Sequence, residues 1–400
     1  MDSIKSRNKL LPAFSHYSAL QRDRKMRIGV LTFFRPINYG AVLQAYATSN
    51  IVLKKMGMES ELIDYRMPRI EIYRKPFSIN RIARCSNFKE KVISTIKDAI
   101  MMPLRSRQNR LFDNFIEKYL NVSKKVYYTY EDLQKSCQDY DAFIVGSDLV
   151  WSPLMTDGLD PSFFLGFVDD SANIKRIAYA PSIGNTYLSD VQKDFFSKEL
   201  KHLDSISVRE QTSAKQLQEL TDKPVSTVLD PTLLTVSGDW NGVCSENTFF
   251  PNDYIFAFTL ENSPDITNAA NQLARRYDCE IVASGTKKPY KAKRVSYLRH
   301  YPCGPSEFLN ILKNARSVVT NSYHGCAFSL IFHKDFYCVP HSTRGIRMID
   351  LMKSLDLSDR IVSHDSFEIM PEICFDCVDN KRSVLAESSH NYLKKAFQET

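Results

Sequence analysis

Runs of apolar residues alternate with segments of helical periodicity from residue 28 onward. Residues 28–34 and 60–64 form two such runs, and between them 41–56 has the apolar spacing of a helix. This order predicts a β-α-β unit at the start of the fold. Four more short apolar runs follow, each with turn residues behind it: 142–145, 177–180, 205–208 and 226–229. Together the runs predict one doubly wound parallel sheet.

A second series of the same kind begins after the loop 237–253. A helical segment at 266–277 is accompanied by strand-like runs at 254–259, 280–283, 295–297, 317–320 and 336–339. We therefore predict an α/β protein of two Rossmann-like lobes, a glycosyltransferase-B-like architecture, in which helices of the C-terminal tail cross back. The expected units are an N-terminal extension (1–25), a first lobe (26–240) and a second lobe with a helical tail (241–400).

The segment 66–125 of the first lobe is strongly basic, with 15 Lys and Arg against 5 Asp and Glu. Within it, apolar residues recur every four positions: Phe88, Val92, Ile96 and Ile100. The spacing predicts an amphipathic helix that ends near Pro103. Such a basic helical insertion is suited to contact with an anionic lipid surface. The alternative is a solvated basic face that packs on its own domain.

The composition, with 43% hydrophobic and 25% charged residues, is that of a folded globular protein. No apolar run approaches the ~20 residues of a membrane-spanning helix, and residues 1–19 lack the hydrophobic region of a signal peptide. A cytoplasmic protein is therefore expected. Nine scattered cysteines indicate reduced thiols. The pair Cys374 and Cys377 lacks further ligands at zinc spacing, so two structural thiols are the favoured interpretation and no metal site is predicted.

Candidate site residues are sought in the loops after the strands, because ligands of parallel α/β sheets bind beyond the carboxyl ends of the strands. The first such loop contains Asn38, Tyr39 and Gly40 at a predicted helix N-terminus, whose free N–H groups suit an anion or a hydroxyl. A tight turn with nothing bound is the alternative. The loop after 142–145 supplies Ser147 and Asp148. Asp148 is suited to orient or deprotonate a sugar hydroxyl, or equally to cap a helix.

Basic side chains follow three other predicted strands. Arg209 comes after 205–208, where an arginine can grip a carboxylate or phosphate, or pair with Glu210 or another acid. In the second lobe, Ser322 and His324 stand between a predicted strand and a helical run. This placement marks His324 as a candidate for proton transfer. The next strand is followed by three more candidates, which either hold a phosphate or cap and solvate the next helix: His341, Arg344 and Arg347.

Five motifs, taken together and in this order, resemble the polysaccharide pyruvyl transferase family. They are Asn38-Tyr39-Gly40, Gly146-Ser147-Asp148 with Trp151, Ser207-Val208-Arg209-Glu210, Asp230-Pro231 and Ser322-Tyr323-His324-Gly325. The resemblance spans residues 27–355. It implies a glycosyltransferase-B-like fold, phosphoenolpyruvate as the donor substrate and a role in the assembly of cell-surface glycans.

Carried over residue by residue, the resemblance implies a basic donor pocket that contains Arg209 and His324. Several family members have an arginine two residues before this histidine, and Ser322 stands there instead. Arg344 or Arg347 is the candidate replacement for the missing anion contact. The expected reaction forms a pyruvate ketal on a pair of sugar hydroxyls. It requires no cofactor, and a Mg²⁺ ion shared by Asp148 and the phosphate is left open.

Other functions were weighed against this one. A sugar-nucleotide-dependent glycosyltransferase of glycan biosynthesis is the enzyme alternative, because one fold supports many reactions. A scaffold protein of a glycan assembly complex is the alternative without catalysis. Nucleic acid is not an expected partner, since no recognition module accompanies the basic segment. The acceptor sugar is open, and a lipid-linked acceptor would place the enzyme peripherally at the inner membrane face.

Overall fold

The computed structural model describes residues 26–77, 86–135, 139–156, 158–184, 187–247, 249–284, 290–301, 303–362 and 367–398. The predicted N-terminal extension (1–25) lies outside these ranges. Two parallel sheets of seven and five strands organise the described part of the chain. The strands of the first sheet are β1 (Arg27–Leu31), β2 (Glu59–Tyr65), β3 (Val122–Tyr127), β4 (Ala142–Val145), β5 (Lys175–Ala178), β6 (Ser205–Val208) and β7 (Val225–Thr227).

The first sheet has the strand order β3-β2-β1-β4-β5-β6-β7, and all its pairs are parallel. Its central strand β4 is buried along its whole length. Continuous apolar runs of this kind are typical of parallel strands that helices cover on both faces. The order reverses between β1 and β4, and such a reversal opens a crevice at the carboxyl ends of the strands.

The second sheet repeats this design with five strands in the order β10-β9-β8-β11-β12. They are β8 (Tyr254–Phe258), β9 (Glu280–Ala283), β10 (Val295–Tyr297), β11 (Ser317–Thr320) and β12 (Asp335–Cys338). All neighbours are again parallel, and the order reverses between β8 and β11. The prediction of two Rossmann-like lobes is therefore confirmed.

The helices lie between the strands in chain order. They are α1 (Tyr39–Tyr46), α2 (Pro68–Arg74), α3 (Phe88–Tyr119), α4 (Tyr130–Gln134), α5 (Pro153–Thr156), α6 (Asp190–Glu199), α7 (Gln211–Gln218), α8 (Pro264–Arg276), α9 (Pro305–Asn314), α10 (Tyr323–Ile331), α11 (Ile346–Ser354) and α12 (Phe375–Gln398). A π-helical segment, Ala47–Leu53, continues α1.

The basic segment corrects two predictions. Its main helix, α3, does not end near Pro103 but continues to Tyr119. A proline inside a helix costs about 3 kcal/mol. Downstream, Phe112 and Phe115 are buried in the core, and each such burial contributes about 1.5–3 kcal/mol, which offsets the interruption. The sequence reading also missed β3, whose first residues belong to the segment that was predicted to be helical.

The two lobes share one apolar core. Trp240 is fully buried between them, with its ring 5.7 Å from that of Tyr46 in the first lobe and 4.8 Å from that of Phe328 in the second. Helix α12 returns to the first lobe, as predicted for the tail. There the hydroxyl of Tyr392 donates to the carbonyl of Ala178 at 2.8 Å. Side chains from both lobes thus fix the position of one lobe against the other.

Candidate functional site

Gly40 and His324 meet where the two lobes face each other. His324 is the second residue of α10, and its ring is buried against the start of α1. A Cβ atom added to Gly40 would lie 2.1 Å from Nδ1 of His324, far inside van der Waals contact. Only a glycine at position 40 leaves room for the histidine ring. The need for this glycine therefore arises from the packing of one lobe against the other.

Asn38 and Tyr39, which the sequence placed in the site, hold local structure. The side chain of Asn38 caps α1 by accepting hydrogen bonds from the N–H groups of Gly40 and Ala41 at 2.9 and 3.3 Å. The ring of Tyr39 stacks on Phe308 of the second lobe at 4.4 Å between centroids. Both residues also line a cavity in the cleft. Their part in substrate binding stays a prediction.

The carboxylate of Asp230 joins three predicted site residues. Its Oδ2 accepts hydrogen bonds from Ser147 Oγ and Arg209 Nη1, both at 2.8 Å. Nε2 of His324 lies 3.5 Å from the same oxygen, an ion-pair distance. Asp230 is fully buried, and its other oxygen caps the short helical turn Pro231–Leu234. Three loops from two lobes thus converge on one carboxylate.

Electrostatics keep this buried group ionised. Burial by itself opposes ionisation of Asp230, but the charges of His324 and Arg209 hold its pKa well below the ordinary range. Burial likewise disfavours the charge on Arg209. The negative charge of Glu210 leads the interactions that outweigh this effect of burial, so the pKa of the guanidinium is raised. Nε of Arg209 donates to Glu210 at 3.1 Å, which is the ion pair that the sequence left as an alternative.

Two nitrogen atoms in this cluster are buried without a hydrogen-bond partner among the described residues: Nη2 of Arg209 and Nε2 of His324. Both belong to side chains that approach Asp230, so they lie in one small region. A buried donor without a partner costs about 1–3 kcal/mol. Such atoms indicate that a ligand with acceptor atoms completes the cluster.

Asp148 and Arg347 lie beside the cluster around Asp230. Asp148 does not cap a helix; it has φ of 76°, in the left-handed region that costs a non-glycine residue about 1–3 kcal/mol. Arg347 is buried, and burial followed by the charge of Arg209 lowers its pKa to about 10. The guanidinium carbons of Arg209 and Arg347 lie 4.1 and 5.8 Å from the ring centroid of Tyr323. Two cations therefore flank one tyrosine beside a strained aspartate.

His341 and Arg344 form a separate pair. Nη2 of Arg344 lies 2.9 Å from Nε2 of His341, and the other side of that imidazole is 3.5 Å from Glu261. Burial and the charge of Arg344 lower the pKa of His341. Ser322, at the place of the family's arginine, caps α10 through Gly325 N–H at 3.3 Å. Of the two candidate replacements, Arg347 is the one beside Arg209.

A cavity of about 280 Å³ opens in the cleft next to Asn38 and Tyr39. Its walls come from α3 and from the loops after β8, β9 and β10. Three arginines line it, Arg105 and Arg107 from α3 and Arg299 from the second lobe. Tyr39, which lines the cavity, is followed in the chain by Gly40, against which the His324 ring packs.

Sequence reasoning missed the centre of this arrangement. From the sequence alone, Asp230 is only part of a family motif, without a role in the site, and Glu210 only a possible partner of Arg209. A signal existed, because Asp230 follows a predicted strand as the other candidates do. The described residues contain no group of three or more His, Cys, Asp or Glu side chains that could hold a metal ion. All seven described cysteines are free, and Cys374 and Cys377 are exposed.

The family model described as polysaccharide pyruvyl transferase matches residues 38–343. No curated protein sequence matches the chain significantly. The match covers Asp230 and the cluster around it, and it ends four residues before Arg347.

Three solved structures match most of the chain at low sequence identity. A UDP-N-acetylglucosamine 2-epimerase from Listeria monocytogenes, titled putative, is 11% identical with a TM-score of 0.50, over 94% of this chain and 98% of the other. The UDP-GlcNAc 2-epimerase of Methanocaldococcus jannaschii is 12% identical with a TM-score of 0.41, over 94% of each chain. The E. coli heptosyltransferase WaaC is 11% identical with a TM-score of 0.35, over 80% of this chain and 90% of the other. The first of these supports the glycosyltransferase-B-like arrangement of two Rossmann-like lobes.

Proposed function

Because the chain belongs to the polysaccharide pyruvyl transferase family, a family of transferase enzymes, we propose that it moves the enolpyruvyl group of phosphoenolpyruvate onto a sugar. The acceptor is a cell-surface polysaccharide, as of a capsule or exopolysaccharide, or its precursor, and the product is a pyruvate ketal. We place the reaction in the cytoplasm, at the inner face of the membrane.

The observation that carries this proposal is that Arg209 and His324 each have a buried nitrogen with no hydrogen-bond partner among the described residues. Phosphoenolpyruvate has a phosphate and a carboxylate, which need several cationic donors in fixed geometry. Arg209 offers a guanidinium whose orientation is fixed by Glu210 and Asp230. Arg347, on the other side of the cleft, supplies the second cation in place of the arginine that Ser322 replaces.

His324 and Asp148 divide the proton transfers in this proposal. Nε2 of His324, held by Asp230, donates a proton to C3 of the enol while the first sugar oxygen bonds to C2. Asp148 takes the proton of that hydroxyl. The C2–O bond to phosphate then breaks, and the phosphate leaves with the electron pair and takes the proton from Asp148, which restores that carboxylate. The second sugar oxygen bonds to C2 and its proton returns to Nε2, which restores the histidine.

The acceptor occupies the cleft cavity in this scheme. The cavity is lined by side chains with hydrogen-bonding groups, including Asn38, Gln108 and Ser284, which suit the hydroxyls of a sugar. Tyr39, which lines the cavity, directly precedes Gly40, against which the His324 ring packs. In this scheme the sugar bound in the cavity presents its hydroxyls to the donor.

Thermal unfolding with candidate ligands tests the proposal. A ligand that binds the native state stabilises it by RT ln(1 + [L]/Kd), about 2.7 kcal/mol at a hundredfold excess over Kd. Phosphoenolpyruvate should raise the melting temperature more than phosphate or pyruvate alone, and phosphorus NMR should detect phosphate release with an acceptor extract. Stabilisation by a sugar nucleotide alone, without phosphate release, would favour a glycosyltransferase.

A further inference from the structure

A surface helix usually buries its apolar side chains and exposes its charged ones, and the first half of α3 does the reverse. Phe88, Ile96 and Ile100 are 81%, 56% and 69% exposed. Asp98, from the same turns, is buried, with its carboxylate 2.6 Å from Nη1 of Arg105. The helix therefore packs on its own lobe through a charged residue and leaves its large apolar side chains outside.

The exposed apolar residues form a continuous stripe. Phe88, Val92, Ile96 and Ile100 follow one another at intervals of four, so each lies about 40° further round the helix than the last. Asp98 points about 160° away from Ile96, toward the protein. Ile93 and Leu104 extend the stripe and are also exposed. Within the described part of the chain, these side chains of α3 are thus left largely exposed.

Basic residues accompany the stripe. Between Phe88 and Arg110 the sequence has six basic and two acidic side chains, and the acidic Asp98 is already paired with Arg105. Lys89, Lys91 and Lys97 are all exposed within the same turns as the apolar side chains. Lys89 and Lys97 lie on the side of the stripe, whereas Lys91 lies seven residues before Asp98 and hence on the side of that residue. An apolar stripe with flanking lysines on a surface helix is the pattern of proteins that lie on anionic bilayers.

The same helix forms a wall of the cleft cavity. Leu104 belongs to both surfaces, since it is 37% exposed in line with the apolar stripe and also lines the cavity. Arg107 is exposed and lines the cavity as well. A bilayer that touched the stripe would thus lie beside the mouth of the cavity. The described residues contain no helix long and apolar enough to cross a membrane.

We propose that residues 88–104 dock the enzyme on an anionic phospholipid bilayer. The apolar stripe enters the headgroup region and the lysines contact the lipid charges. The cleft cavity then faces the membrane surface, and the acceptor sugar reaches it on a membrane-anchored carrier. Docking stands on the surface of α3 alone, whereas the identity of the carrier rests on the proposed function.

Vesicle flotation tests docking without any turnover. The full chain should float with vesicles of phosphatidylglycerol and phosphatidylcholine, and remain in the soluble fraction with phosphatidylcholine alone. Raising the salt concentration should weaken binding, because exposed charges are screened. The variant in which Phe88, Ile96 and Ile100 become Gln should bind at least roughly tenfold more weakly. The variant in which Lys89, Lys91 and Lys97 become Gln should lose the preference for anionic lipid.

The matched control changes exposed apolar residues elsewhere. Val191 on α6 and Val384 on α12 are 80% and 68% exposed, and their replacement by Gln should leave flotation unchanged. Absence of binding to anionic vesicles at low salt, or equal loss in the control, overturns the proposal. So does a lipid-free dimer that the triple apolar variant converts to a monomer, since a second copy then covers the stripe. Flotation that persists without phosphate release would instead count against the proposed reaction.

Discussion

The cluster around Asp230 and the exposed stripe of α3 depart from ordinary folding in opposite ways. In the cluster, charged side chains are buried and two of their nitrogens have no hydrogen-bond partner among the described residues. On the stripe, large apolar side chains face solvent although apolar burial is the main stabilising force of folding. Each arrangement costs stability in the isolated chain. In our proposals each is completed by something else, the cluster by an anion and the stripe by a bilayer.

The two regions also differ in how much they constrain the chain. Removing one partner from the cluster leaves the other charge buried with neither an ion-pair partner nor water to stabilise it. Replacing an apolar residue of the stripe leaves a side chain that water can reach. Substitutions in the cluster should thus change catalysis and stability, whereas those on the stripe should change only binding to lipid.

The largest effect is expected from His324→Gln. Glutamine keeps a similar size and some hydrogen bonding but cannot titrate, so kcat should fall by about 10²–10⁴ while donor binding survives. Phosphorus NMR of phosphate release from phosphoenolpyruvate measures the rate. His333→Gln, at a half-exposed histidine that pairs with Asp379, is the matched control. Turnover of His324→Gln at the wild-type rate would show that this histidine is structural.

Asp230→Asn should lower the free energy of unfolding by about 3–5 kcal/mol at pH 7, because it breaks a buried ion pair. The pKa of Asp230 is depressed in the folded state, so its ion pairs contribute stability at pH values above about 3.9, the unfolded pKa. That contribution is lost as the pH falls through the lower folded pKa. Urea unfolding between pH 7 and pH 2 should therefore show a weaker acid dependence in the variant.

The control for Asp230→Asn is Asp170→Asn, at an exposed ion pair with Arg176. Exposed pairs contribute about 0–1 kcal/mol, so this variant should unfold close to the wild type. Equal destabilisation by the two substitutions would contradict a central role for Asp230.

Within α3 itself, Phe112→Ala and Ile96→Ala separate its two halves. Phe112 is fully buried against Tyr39, with ring centroids 5.3 Å apart, and its loss should cost about 3–5 kcal/mol. Ile96 is exposed, so its replacement should change stability by no more than about 0.5 kcal/mol. Thermal or urea unfolding of both variants measures the difference. A large loss from Ile96→Ala would mean that the stripe is covered by protein.

The smallest predicted effect distinguishes the two candidate arginines. Arg347→Lys keeps the charge but loses the planar fork beside Arg209, and KM for phosphoenolpyruvate should rise about tenfold. Arg344 pairs with His341 instead, so Arg344→Lys should leave this KM unchanged. Steady-state kinetics with varied phosphoenolpyruvate compares them. Unchanged KM in both would remove Arg347 from the donor site.

Except for β3, the order of the strands was predicted from the sequence alone. β4, β6, β9, β10 and β11 have the predicted limits, because short apolar runs bounded by turn residues form buried parallel strands wherever helices cover them. The approximate places of Arg209 and His324 followed as well, since they stand directly after such strands. Pro103 shows the limit of local rules: the helix continues through it because residues far along α3 are buried.

Only the tertiary structure decided which side chains meet. Asp230 lies 83 residues after Ser147 and 94 before His324. No local pattern in the sequence predicts that Oδ2 of Asp230 contacts both of these side chains. Gly40 has a steric reason that depends on a ring from the other lobe. The apolar spacing of α3 was visible in the sequence, but whether it faced the core or solvent depended on where Asp98 and Arg105 packed. Periodicity is a property of one segment, whereas burial and ion pairing depend on what the rest of the chain places against it.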